Sequence, residues 1–152
     1  MKRLLSVLIM SVLCGAGCNP QFEDGDYIRW FVMNLTDENI TVDVSCWRSK
    51  SKEYEVTLSP GKSVPIYTGR QSNAVEVAKM EDLFSYAKNP KDWFFSVIKE
   101  GAVVKKWTVS DLDVEGHQFQ KAECWKRSIK TEFENRTYVD WTFYIFPKDL
   151  VR

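Results

Sequence analysis

From residue 27 onward, apolar side chains recur mainly with the two-residue period of a β-strand, in short runs broken by turn residues. Residues 27–35 are apolar in both phases, which predicts a strand covered on both sides. After a turn at residues 36–39, Ile40, Val42, Val44 and Cys46 alternate with Thr41, Asp43 and Ser45, the pattern of a half-buried strand. Tyr54, Val56 and Leu58 mark another, ended by Ser59-Pro60-Gly61-Lys62, where Pro then Gly suits a type II turn. Residues 64–68 and 74–79 are weaker strand candidates. Met80, Leu83, Phe84 and Ala87 recur at helical spacing ahead of Asn89-Pro90, so a short helix is expected over about residues 81–88, capping one end of the core. Strands resume at 93–98 and 103–109 around a hairpin turn at 99–102. The last hairpin is the clearest. Trp125, Arg127, Ile129, Thr131 and Phe133 share one phase, residues 134–137 turn, and Val139, Trp141, Phe143 and Ile145 then alternate with Tyr138, Asp140, Thr142 and Tyr144.

Amphipathic strands of this length need a second layer over their apolar face. Roughly seven to nine strands with mostly local turns and one short helix predict an all-β chain. The expected architecture is an immunoglobulin-like antiparallel β-sandwich over residues 27–152, with a small closed barrel as the alternative. No internal repeat or low-complexity run interrupts it.

The first 17 residues break from this pattern. Lys2 and Arg3 precede an apolar run from Leu4 to Leu13, and Gly15, Ala16 and Gly17 lead to Cys18. That run is too short to cross a hydrocarbon core of about 30 Å as a helix, so residues 1–17 read as a signal peptide. Leu13-Cys14-Gly15-Ala16-Gly17-Cys18 resembles a bacterial lipobox. The resemblance implies cleavage before Cys18 and lipid on its sulfur and amine, and several acyl chains are what stable anchoring requires. Residues 18–26 would then be the lipidated cysteine and a solvated tether, with Pro20, Gly25 and acids. Glu23, Asp24 and Asp26 resemble the acidic stretch that sends Bacteroidetes-type lipoproteins to the outer surface of the outer membrane; an ordinary polar tether is the alternative. The body is similar to small Bacteroidetes lipoproteins with an immunoglobulin-like sandwich, many of unknown function. The likeness is carried by Asn34-Leu35-Thr36-Asp37, by the strand–turn–strand around Gly101, and by Trp141-Thr142-Phe143-Tyr144-Ile145 before Lys148-Asp149-Leu150. It implies fold and location and supplies no activity.

Composition narrows the classes. The chain has 152 residues, 44% hydrophobic and 28% charged, which suits one globular domain. Six Trp within a 14% aromatic content point to a core filled by large rings. Formal net charge is zero, and loss of Lys2 and Arg3 with the leader leaves 19 basic against 21 acidic side chains, so no nucleic-acid partner is expected. Of four cysteines, Cys14 lies in the leader and Cys18 at the anchor. Cys46 and Cys124 remain as a candidate disulfide for an oxidising compartment, with two free buried thiols as the alternative. Cys46 lies in an inward phase; Cys124 lies in an outward one unless a bulge near Glu123 resets it.

Little in the chain points to catalysis. His117 is the only histidine, and a lone loop histidine is ordinarily solvated. The processed chain has no Cys-x-x-Cys and no glycine-rich phosphate loop, so no enzyme activity and no cofactor are expected. Asp111, Asp113, Glu115 and Gly116 resemble the start of an EF-hand loop, but Ala122 stands where the bidentate Glu belongs, so a solvated acidic turn is expected rather than calcium. Asp140, Glu132 and Glu134 lie near one hairpin with nothing to fix the separation that glycoside hydrolysis needs. Sequons at Asn34, Asn39 and Asn135 are outweighed by the lipobox. The surface with most chemistry is the outer face of the last hairpin, where Tyr138, Asp140 and Tyr144 should stand beside Lys126 and Lys130 as a candidate ligand face. A solvated sheet face is the bland alternative. The expected function is a non-enzymatic, membrane-tethered module that binds a partner or has a structural role in the envelope. A carbohydrate-binding accessory protein is the second reading. A third is an inhibitor of a host or rival enzyme, presenting residues 70–73 or 111–118.

Overall fold

The computed structural model describes residues 26–47, 54–111, 114–132 and 136–151. They form an all-β sandwich of two four-stranded sheets. The strands are β1 (Asp26–Asn34), β2 (Ile40–Asp43), β3 (Glu55–Leu58), β4 (Ser63–Gln71), β5 (Phe94–Lys99), β6 (Ala102–Thr108), β7 (Trp125–Thr131) and β8 (Thr137–Ile145). The first sheet runs β4-β1-β8-β7 and the second β3-β2-β5-β6. Every pair is antiparallel but one: β1 and β8, the two central strands of the first sheet, run parallel from Tyr27↔Tyr138 to Asn34↔Ile145. The antiparallel expectation therefore fails at that pair. A parallel pair needs a long crossover, and here nearly the whole chain supplies it.

Between the sheets the alternating residues meet. Ile28, Trp30 and Val32 on β1 and Val139, Phe143 and Ile145 on β8 face Ile40, Val42, Phe95, Val97 and Trp107, all buried. Each such side chain stabilises the fold by about 1.5–3 kcal/mol of apolar burial. The second apolar phase of β1 has a different fate. Tyr27, Phe31 and Met33 are only half-buried and lie on the outer face of the first sheet, not under a further layer.

The turns follow their sequence signals. Gly61 has φ 71° and the Lys62 N–H donates to the Ser59 carbonyl at 3.0 Å, a type II turn with Pro60 leading. Glu100 and Gly101, at φ 51° and 77°, close the β5–β6 hairpin as a two-residue type I′ turn. A Cβ on Gly101 would meet no atom within 4 Å, so its constraint is conformational. Gly101→Ala is expected to lower unfolding stability by about 1 kcal/mol in a urea titration; an unchanged midpoint would contradict the turn assignment. Asn34 ties the first turn together. It is fully buried, its Nδ2 donates to the Glu38 and Leu58 carbonyls at 2.8 and 2.9 Å, and its Oδ1 accepts from the Thr36 N–H and hydroxyl. That sequon is thus closed to modification, whereas Asn39 is exposed.

The region between β4 and β5 departs from expectation. Residues 74–79 do not form a strand, and the helix expected over residues 81–88 is shorter. Two single turns, α1 (Ala74–Val77) and α2 (Asp82–Ser85), stand on either side of an extended Ala78. Asn73 enters α1 from a left-handed conformation, and the buried residues Ala74, Met80 and Leu83 hold the segment on the core. Tryptophans fasten the irregular segments. Trp30 and Trp47 donate their indole N–H to the Met80 and Leu83 carbonyls at 3.2 Å each, and Trp107 and Trp125 donate to the His117 and Phe119 carbonyls at 3.1 and 2.6 Å. Each ring buries its apolar body while its one donor satisfies a loop carbonyl.

Candidate functional site

The outer face of the first sheet brings together the residues with most chemistry. β1 contributes Tyr27, Arg29, Phe31 and Met33; β8 contributes Tyr138, Asp140, Thr142 and Tyr144; β7 contributes Lys126, Ser128 and Lys130. The register places Ser128 opposite Asp140 and Lys126 opposite Thr142. All five residues expected on the ligand face lie there, but they do not act as one surface.

Asp140 is buried rather than presented. Its carboxylate accepts from Arg29 Nε and Nη2 at 2.7 and 3.0 Å, and Lys130 Nζ stands 3.2 Å away. Arg29 also reaches Glu132, with Nη1 and Nη2 donating at 3.1 and 2.7 Å. Side-chain exposure is 3% for Asp140, 17% for Arg29 and 41% for Glu132, so the fork spans from a dry carboxylate to a wet one. Burial alone would lower the Arg29 pKa, but the two carboxylates outweigh it and raise it. The hydrogen bond from Arg29 holds the Glu132 carboxyl below the usual carboxylate range.

Tyr138 is also unavailable as an open platform. It stacks on Tyr27 with centroids 5.1 Å apart, and the Arg29 guanidinium lies 4.0 Å from its centroid. Arg70 and Arg136 sit over Tyr27 at 5.9 Å each. Ring faces covered by one another and by cations leave little for a sugar to stack on.

The open part of the face lies further along β8. Phe31, Met33, Ser63, Lys126, Thr142 and Tyr144 border a depression of about 280 Å³ whose floor includes Asp140. A second depression, of about 450 Å³, adjoins it between His117, Cys124, Trp125, Phe146 and Lys148. Lys126 and Tyr144 line both. The Ser63, Ser128 and Thr142 hydroxyls make no hydrogen bond to the described residues, and Lys126 forms no ion pair with them.

His117 is not the solvated loop residue expected. Its ring stacks on Phe143 with centroids 4.5 Å apart and planes 11° apart, and its Nδ1 lies 2.9 Å from an Asp149 carboxylate oxygen. Asp149 also accepts the Phe146 N–H at 2.9 Å, closing the C-terminal turn Pro147–Leu150. The pair resembles the orienting half of a catalytic triad, but His117 Nε2 is buried without a hydrogen-bond partner and does not engage the Cys124 thiol that lines the same depression. Its geometry is that of a structural clamp.

Cys46 and Cys124 are both free, which corrects the candidate disulfide. Each sulfur is instead held locally: Cys46 Sγ accepts the Phe94 N–H and Cys124 Sγ the Gln118 N–H, both at 3.4 Å. Cys124 ends a short 3-10 turn, Ala122–Cys124, rather than sitting on β7, so strand phase does not govern it. Burial pushes the Cys46 thiol above its ordinary value. Both thiols are expected to react in denaturant without prior reduction, and a reductant should leave Tm unchanged. A fall on the order of 10 °C on reduction would mean that they are bonded.

The other candidates are modest. Asp111 turns inward on its own loop, accepting the Thr108 N–H at 2.6 Å; Glu115 is exposed, and Asp113 lies outside the described residues. Among the described residues no three metal-ligating side chains converge. Of the stretches expected to protrude, Val114, Glu115 and Gly116 in the second are exposed, and residues 112–113 lie outside the described residues. Arg70 and Gln71 belong to β4, with only Ser72 and Asn73 before α1, and the second stretch ends on Gln118, which is buried. Trp47, in a polar phase by sequence, is a core residue. No helix among the described residues is long and apolar enough to cross a membrane. No protein-family model matches the chain, and the comparisons with curated proteins and with solved structures gave no match.

Proposed function

We propose that this protein is a lipid-anchored, non-enzymatic binding module of the bacterial outer membrane, displayed at the cell surface, whose partner is a glycan held on the open half of the first sheet's outer face. The anchor rests on the lipobox-like run ending at Cys18. Support for the ligand face comes from one observation above all. An aromatic and hydroxyl-lined groove bordered by Tyr144, Lys126 and Thr142 lies beside the buried Arg29–Asp140 pair. That pair fixes the strands, so the groove is presented on rigid elements rather than loops. Rings and free hydroxyls in one shallow groove are what a polyhydroxylated ligand uses.

A glycan array probed with the full chain in mild detergent tests the reading. Binding is expected that is lost in Tyr144→Ala and retained in Tyr86→Ala, an exposed ring elsewhere on the molecule. A blank array would contradict the glycan and leave a protein partner in front. The anchor is tested separately: mass spectrometry of the membrane fraction should find acyl chains on Cys18, and a mature chain starting at unmodified Cys18 would contradict lipidation while leaving secretion intact.

A further inference from the structure

We infer, resting on the ligand face proposed above, that its occupant is an acidic oligosaccharide bound along both depressions as one groove. The two depressions share Lys126 and Tyr144, so they form one continuous path rather than two sites. Lys130 borders one part, Lys148 the other, and Lys126 stands at the junction. The acids along the path do not balance them equally. Asp140 is held by Arg29 and Lys130 together, and Arg29 also serves Glu132, so Lys126 and Lys148 are left facing Glu123 on the lining. Formal net charge of the chain is zero, so a groove with two lysines outside any ion pair to the described residues against one such carboxylate is a local excess.

Spacing favours a chain over a single anion. Lys126 and Lys130 are four residues apart on β7, about 13 Å along the strand. One phosphate or carboxylate is far smaller than the joined depressions of about 280 and 450 Å³, which successive acidic sugars would fill. Ser128 and Asp140 stand between Lys126 and Lys130, Thr142 lies opposite Lys126, and the Tyr144 ring lies beyond it; the Ser128 and Thr142 hydroxyls make no hydrogen bond to the described residues. These offer stacking and hydrogen bonds to sugar rings, which an acidic peptide would use less.

The tether joins β1 at Asp26, the end of the sheet where Tyr27 pairs Tyr138. Because β1 and β8 are parallel, Tyr144 lies six residues further along, about 20 Å from that end. The groove therefore extends away from the end of β1 that the tether enters.

The test is a binding titration with the full chain in mild non-ionic detergent. Its probes are hexagalacturonate, a chondroitin sulfate hexasaccharide, maltohexaose and glycerol 1-phosphate. One of the two acidic hexasaccharides should bind, with affinity falling about tenfold from about 50 to about 500 mM NaCl. Lys126→Glu/Lys148→Glu should weaken it about tenfold or more; both positions line the open surface, and an unchanged Tm checks the fold. Maltohexaose binding equally and without salt dependence would overturn the acidic ligand and leave the glycan face standing. Glycerol 1-phosphate binding as tightly as the hexasaccharides would reduce the groove to a single-anion site and overturn the chain. Acidic binding that ignores the double variant would overturn the location. No binding by any saccharide would overturn both this inference and the reading beneath it.

Discussion

Arg29→Met is expected to lower the stability of the fold by about 3 kcal/mol, measured as a shift of the urea unfolding curve at constant slope. The loss comes from Asp140 more than from Arg29. With 3% of its side chain exposed, the carboxylate would keep only Lys130, whose own side chain is 56% exposed. Removing one partner of a buried pair costs about 3–5 kcal/mol because the other charge stays behind, and the remaining lysine places this case at the low end. The double variant Arg29→Met/Asp140→Leu should recover much of the loss, since no buried charge is then stranded. An Arg29→Met protein within about 1 kcal/mol of wild type would contradict a dry ion pair. The same change has a pH signature. The Glu132 pKa is lowered by Arg29, so this stabilisation is present at neutral pH and is lost as pH falls through the depressed value. Arg29→Met should therefore flatten the acid limb of the stability profile.

Phe119→Ala is expected to cost about 3–5 kcal/mol, the range for deleting a large ring from a closed core. Phe119 lies between β6 and β7, outside any strand, yet it is fully buried. Its ring centroid lies 4.4 Å from that of Phe95, 4.9 Å from Trp125 and 5.0 Å from Phe143, so one loop side chain touches both sheets. Its carbonyl accepts the Trp125 indole N–H, so the backbone is held as well as the ring. Phe119→Leu should cost less than half as much, because most of the volume stays filled. A loss below about 1 kcal/mol in the alanine variant would show that the loop is not part of the core.

Most strands and turns were legible in the sequence because their signals are local, the strand expected at residues 74–79 excepted. A two-residue period, Pro60-Gly61 and the hairpin at residues 99–102 each depend on neighbours a few positions away, and each appears where the pattern puts it. What failed were features set by distant partners. Tyr27, Phe31 and Met33 read as a second buried phase because apolar residues on both sides of a strand ordinarily mean two covered faces. Here no further layer of the described residues covers that face, so Phe31 and Met33 border an open depression while Tyr27 stacks on Tyr138. Asp140 read as a surface acid from its polar phase; only its partner 111 residues away, Arg29, accounts for its burial. His117 read as solvated because Asp149 lies 32 residues further on and nothing local marks the contact. Phe119 carried no periodic signal at all, since it lies in a loop. Arg29 is the local mark of its pair with Asp140: it interrupts an otherwise apolar run, and a lone cation in such a strand calls for a partner.

In the proposed function the open half of the first sheet's outer face holds the ligand. Amide chemical-shift mapping of the full chain in micelles tests it most directly, with whichever acidic hexasaccharide binds as the titrant. The largest shifts are expected at Lys126, Ser128, Thr142, Tyr144 and Lys148, with residues near Tyr86 unmoved. Shifts concentrated near Tyr67 and Tyr86, or spread over the second sheet with β7 and β8 silent, would contradict it.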